Sequence, residues 1–249
     1  MRDASGAVVW QHDPAQVLRT ASVGKILLLL ETARELAGGA LDPGILLSRG
    51  DDPVGDSGIW HVLRTGLLPL HDVAALVGAL SDNLATNVLL RHVGLASVDA
   101  LRRSVGLRDT RLLDEVRPQR GVADPPTLST GRADELSRLV HRMERGPEPA
   151  PGSEQVVRWL SGNTDLSMVA GAFDLDPLAH RTADRPRIRL WNKTGTDDGV
   201  RADVGHVSRA GTAYSFAVLA NWDSDLAEHG TDVGAAMGGV GAWLALLLG

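Results

Sequence analysis

Three short clusters of polar residues could do covalent chemistry on a carbonyl. The first is Ser22-Val23-Gly24-Lys25, followed at once by the aliphatic run Ile26–Leu30. Three residues apart on a helix, Ser22 and Lys25 project from one face. Ser22 would sit near the helix N-terminus, where unpaired amides favour developing negative charge. A lysine buried by that aliphatic run loses basicity and can take the serine's proton. The second cluster is Ser81-Asp82-Asn83 and the third Lys193-Thr194-Gly195-Thr196. Read singly, each has a plainer structural role: a capped helix with a snorkelling lysine, an N-cap, and a polar strand end entering a turn.

The elements that must position these clusters follow from periodicity. The spacing predicts a buried helix over Ser22–Ala37, ended by Gly38-Gly39. Further helices are expected over His71–Leu80, Ala85–His92, Ala96–Ser104, Arg132–Arg145, Glu154–Leu160 and Asp232–Leu248. Strands are expected over Gly6–His12, Ile188–Lys193, Ala202–Ser208 and Ala213–Asn221. Leu113–Leu128 holds Pro118, Pro125 and Pro126 without periodicity and reads as a long functional loop; a second break falls at Pro147–Pro151. The expected architecture is α+β: a sheet lobe from both chain ends (1–38 and 166–249), an all-helical inserted lobe (39–165), and a cleft between them.

Composition narrows the chemistry. The 249-residue chain has no cysteine, which excludes disulfides, thiolate metal sites and a cysteine nucleophile. Its net charge of -6 argues against a general nucleic-acid affinity. The eight histidines form no close ligand pair, so no metal or cofactor is expected. No apolar run approaches the ~20 residues of a membrane span. The N-terminal MRDASGAVVWQHDP lacks an apolar h-region. A cytoplasmic monomer with a small-molecule substrate is expected, or a periplasmic or secreted one where a leader has been removed. Gly55-Asp56-Ser57-Gly58 mimics the nucleophile segment of trypsin-like proteases. It lies early in a helix-rich chain, whereas those all-β enzymes place their serine last.

Together and in this order, Ser-x-x-Lys, Ser-Asp-Asn and Lys-Thr-Gly resemble the class A serine β-lactamases, within the penicillin-recognising serine hydrolases. Trp159–Thr164 with Ala170-Gly171, and Leu107–Leu112 before the long loop, also look like that family. The resemblance implies a β-lactamase/transpeptidase-like fold, with an antiparallel sheet of about five strands flanked by helices. It implies Ser22 as the nucleophile, Lys25 as its base and Ser81 as a proton shuttle. Asn83, Lys193 and Thr194 would hold substrate, and Gly195 would let the strand approach it. The backbone amides of Ser22 and Thr196 would form an oxyanion hole. Arg201 is a second carboxylate-binding candidate and Trp60 either walls the cleft or packs in the core.

One departure matters. The family pattern places a water-activating glutamate six residues after Thr110, where this chain has Val116; matching instead on the family's Glu-Pro, with Pro118 as the proline, puts Arg117 there. Glu115 is the neighbouring carboxylate and the candidate for that role. The resemblance therefore implies acylation on Ser22 and leaves hydrolysis of the acyl-enzyme open. A β-lactamase-like hydrolase of β-lactams or related amides and esters is the expectation. The alternatives are a non-hydrolytic β-lactam or peptide sensor of the same fold, and a D-alanyl carboxypeptidase or esterase.

Overall fold

A stretch of aliphatic residues buried on every side organises the molecule. In the computed structural model, which describes residues 1–52, 54–55, 57–144, 150–180, 188–223, 225 and 229–249, Lys25–Ala37 forms helix α1, buried from Lys25 through Ala33. A 3-10 turn, Ala21–Gly24, leads into it, so the expected helix from Ser22 begins as a tighter coil. Before it come β1 (Arg2–Asp3) and β2 (Leu18–Arg19). After it come β3 (Leu46–Ser48), β4 (Leu67–Pro69), α2 (Leu70–Leu80), α3 (Asn83–Val93) and α4 (Leu95–Ser104). Then follow β5 (Arg111–Leu112), β6 (Ser129–Gly131), α5 (Ala133–Glu144) and α6 (Ser153–Leu160). A 3-10 turn, Val169–Phe173, precedes β7 (Arg189–Asp197), β8 (Val200–Arg209), β9 (Thr212–Asn221) and α7 (His229–Leu248).

The main sheet is antiparallel in the order β1-β9-β8-β7, giving four strands among the described residues rather than about five. The strand expected over Gly6–His12 is reduced to a single bridge, Val8 with Arg2. Its cause is local: the Asp3 carboxylate accepts from Ser5 and Ala7 amides, folding the chain back along β1. Val8, Val9 and Trp10 consequently lie exposed. Two small ladders were not anticipated, β2-β6-β5 and β3-β4, because strands of two or three residues carry no periodicity.

Two hydrophobic cores result. The larger joins α1 to α2, α3 and α6, and reaches Trp191, Ala202, Val204 and Ala217 on the sheet. It therefore runs across both stretches assigned to separate lobes. The smaller core lies on the other sheet face, between Phe216 and Val207 and the residues Phe173, Met237 and Leu244. Helix α7 is long and apolar enough to cross a membrane by length and composition, and its Met237, Gly241, Leu244 and Leu248 pack inward. Leu113–Leu128 is a loop free of regular structure, as its prolines predict. Most of the proline-rich break at Pro147–Pro151 lies outside the described residues, as does Asp56 of the protease-like tetrapeptide.

Candidate active site

The three clusters meet in one cleft of about 420 Å³. Ser22, Ser81, Asn83, Thr194 and Thr196 all line it, together with Val116, Arg117, Arg120 and Asp165.

Ser22 sits in the 3-10 turn one step after Ala21, whose φ of 46° is left-handed. Lys25, one turn on, is fully buried beneath it. The Lys25 ammonium donates to the Ser81 carbonyl (2.7 Å), the Asn83 Oδ1 (2.8 Å) and the Ser81 hydroxyl (3.3 Å). Burial holds the Lys25 pKa well below its ordinary value, and the nearby charge of Lys193 adds to this against the opposing pull of Asp82. A lysine so placed can exist neutral and accept a proton.

Ser81 lies at the corner between α2 and α3, in a left-handed conformation (φ 54°) that caps α2. Asp82 makes that corner rigid. Fully buried, its carboxylate caps α3 through Ala85 N (2.9 Å) and accepts from the amides of Ile59 (2.8 Å) and Trp60 (2.9 Å). The capping role open to this cluster thus falls to Asp82, while Ser81 and Asn83 turn to the cleft. The Asn83 side-chain amide also donates to the Gly55 carbonyl (3.1 Å).

Lys193, fully buried on β7, donates to the Ser81 hydroxyl (2.9 Å) and the Thr194 carbonyl (2.9 Å). Burial lowers its pKa to about 8, even though Asp165 and Asp203 favour its charge. Two lysines therefore share one serine hydroxyl. At Gly195 the sheet comes very close to the chain around Ser22. A Cβ there would lie 2.2 Å from the Thr20 carbonyl and 3.2 Å from Ser22 N, so glycine lets β7 close on the segment that carries Ser22.

The remaining candidates lie elsewhere. Trp60 is fully buried, donates through Nε1 to the Thr65 carbonyl (3.2 Å), and packs in the larger core rather than walling the cleft. Arg201 faces a neighbouring hollow with Trp222, donating to the carbonyls of Val200 (2.8 Å) and Asp197 (3.2 Å). Its guanidinium lies 5.6 Å from the Trp222 ring centre. Glu115 is also turned away from the cleft. Its carboxylate pairs with Arg91 on α3 (Nε to Oε1 2.9 Å), and Arg91 in turn binds Asp52. Asp114 is engaged by Arg117 and Arg120. Of the loop residues that line the cleft, Val116 is gripped by Asn87.

Sequence reasoning missed a polar layer under β7. Asp203 is fully buried, and burial raises its pKa to about 7 against hydrogen bonds from Asn192 (2.9 Å) and Ala170 N (3.2 Å). Asn163 donates to Asn192 Oδ1 (2.9 Å). Asp165, on the cleft wall, stays below its ordinary pKa because hydrogen bonds from Ser167 and Thr194 outweigh its burial. These residues are scattered over 40 positions without a motif, so only the fold brings them together.

The model of the Beta-lactamase enzyme family matches residues 2–242. This chain belongs to that family. Its members include serine hydrolases, and the chain is an enzyme of that kind. It is similar to a β-lactamase from Sphaerobacter thermophilus (25% identity, 98% of this chain and 88% of that one, TM-score 0.80). A β-lactamase from Xanthomonas campestris shares the fold at 19% identity, over 100% and 90% of the two chains, with a TM-score of 0.77. So does the protein PBP-A, solved in one case as a variant's acyl-enzyme with penicillin G (18% identity, 93% and 81%, TM-score 0.75).

Proposed function

We propose that the protein acylates itself on Ser22 with a β-lactam or a D-alanyl-type amide or ester and releases the acyl group slowly. The observation that carries this reading is the convergence of Lys25 and Lys193 on the Ser81 hydroxyl, at 3.3 and 2.9 Å, in the cleft that Ser22 lines.

In this mechanism Ser22 Oγ attacks the substrate carbonyl and its proton passes to neutral Lys25. The developing oxyanion is held by the backbone amides of Ser22 and Thr196; each such donor contributes roughly 3 kcal/mol in comparable sites. Ser81 accepts hydrogen bonds from both lysines, so its own proton is left to point into the cleft. That proton goes to the departing nitrogen, completing C–N cleavage, and Ser81 is reprotonated from Lys25. Lys193 and Thr194 favour a substrate carboxylate, and Asn83 a side-chain amide.

Slow release follows from Val116. Neither the isopropyl group of Val116 nor the guanidinium of Arg117 can take a proton from water as a carboxylate would, and the flanking acids are held by arginines. The likeness to PBP-A, solved as a penicilloyl variant, supports a reading in which the acyl-enzyme accumulates. The same observation favours, as a second reading, a sensor whose signal is the acylated state itself.

Mixing the protein with a chromogenic cephalosporin tests this. The expected trace is a burst of one equivalent followed by a slow steady rate, with no burst from Ser22→Ala. Steady turnover without a burst, abolished by Glu115→Ala, would overturn the slow-release reading.

A further inference from the structure

Ser129 takes no part in the chemistry above, yet its hydroxyl is fully buried in direct contact with the segment that carries Ser22. It donates to the Ala21 carbonyl at 2.6 Å and lies 2.7 Å from the Thr20 hydroxyl. A serine has one proton, and Ser129 has given it to Ala21, so Thr20 must be the donor in the second bond. The two form a relay: Thr20 hydroxyl to Ser129 hydroxyl to Ala21 carbonyl. The backbone of Ser129 is tied in as well, its carbonyl accepting from Thr20 N (3.1 Å). Packing leaves it no slack, since a Cβ on Gly24 would fall 2.3 Å from the Ser129 Cβ.

The peptide that this relay grips is the one between Ala21 and Ser22. A trans peptide is planar, with its C=O and N–H pointing in opposite directions. Anchoring the Ala21 carbonyl on the β6 side therefore aims the Ser22 N–H away from β6. On the opposite side lies β7, where a Cβ on Gly195 would come within 3.2 Å of Ser22 N. That N–H belongs to the first turn of a helix, so no carbonyl of a preceding turn competes for it. Ala21 holds this orientation only by adopting a left-handed backbone (φ 46°), which an L-residue other than asparagine or aspartate rarely takes without outside support.

We propose that Ser129, with Thr20 behind it, is the positioning residue that holds Ala21 left-handed and thereby aims the Ser22 amide into the oxyanion site. The proposal rests on the reading of Ser22 as the acylated nucleophile. The test is the acylation rate constant and pre-covalent dissociation constant for penicillin G, measured on the full chain by stopped flow. Ser129→Ala should acylate about ten- to a hundredfold more slowly, since a misaimed donor loses much of its stabilisation. The pre-covalent dissociation constant should stay within about twofold, because the amide works on the oxyanion rather than on the bound ground state.

Adding Ala21→Gly to Ser129→Ala should recover several-fold of the rate, because glycine takes the left-handed conformation unaided. A merely structural loss would not respond to that second change. A wild-type rate in Ser129→Ala, or an equal loss in the double variant, would overturn the proposal. If Ser129→Ala does not fold, Thr20→Val, which removes the donor and keeps the shape, should slow acylation several-fold; an unchanged rate would overturn it. If the wild-type protein is not acylated at all, the reading of Ser22 fails. The crystal structure of Ser129→Ala then decides the positioning claim: Ala21 leaving the left-handed region supports it, and an unmoved Ala21 refutes it.

Discussion

Asn87 grips the backbone of Val116 from both sides: its Oδ1 accepts from Val116 N at 2.8 Å and its Nδ2 donates to Val116 O at 2.9 Å. A buried side chain on α3 thereby fixes an apolar residue of the long loop at the cleft, beside Arg117 and Arg120. The same helix holds Glu115 outside through Arg91. One helix face sets both what enters the site and what is kept out of it.

The clamp makes Val116 the position to change. Val116→Glu should place a carboxylate on the cleft wall without altering the backbone that Asn87 holds. Deacylation is expected to speed up about a hundredfold, the range of a positioned general base, with acylation little affected. Single-turnover kinetics with penicillin G check this by separating the two steps.

Acylation should fall on the alkaline side near pH 8. Lys193 is charged below its pKa of about 8 and neutral above it, so its attraction for a substrate carboxylate disappears as pH rises through that value. Arginine stays protonated throughout. Lys193→Arg should therefore move the alkaline limb upward, even where the absolute rate falls. A pH profile of kcat/KM for both proteins reads the shift.

Gly195→Ala should separate folding from catalysis. The new methyl would fall 2.2 Å from the Thr20 carbonyl, forcing β7 away from the nucleophile's segment. A displacement of about 1 Å suffices for a loss on the order of a hundredfold in acylation. Overpacking of this kind costs about 1–3 kcal/mol, so the protein should remain folded, which a thermal melt alongside the kinetics would establish.

Asp82 carries the opposite expectation. Its buried carboxylate serves three backbone amides and caps α3, and Asp82→Ala would leave all three without a partner. Destabilisation of about 3 kcal/mol is expected, measured by denaturant unfolding. The loop carrying Gly55 and Ser57 should loosen first, visible as faster amide exchange.

The helices were legible because each carries its own period or cap, and the Leu113–Leu128 loop because its prolines forbid one. The Gly6–His12 strand misread β-branched composition as pairing, when the Asp3 turn settles the matter locally. At the site, Ser22, Lys25, Ser81, Asn83 and Lys193 were legible because they fall in short motifs whose residue types and order are readable along the chain. Glu115, Arg201 and Trp60 were read from type and neighbourhood alone: Glu115 went to Arg91 on α3, Arg201 to nearby carbonyls and the Trp222 ring, and Trp60 into the core. Ser129, Asn87 and Asp203 left no local trace, since what matters about each is a contact across the fold.

Intact-mass spectrometry of the protein after exposure to penicillin G, followed by peptide mapping over time, tests the central claim most directly. The account predicts a stoichiometric penicilloyl adduct on Ser22 that persists long after free drug is removed and is absent from Ser22→Ala. An unmodified protein, an adduct on another residue, or complete hydrolysis of excess drug with no adduct ever accumulating would contradict it.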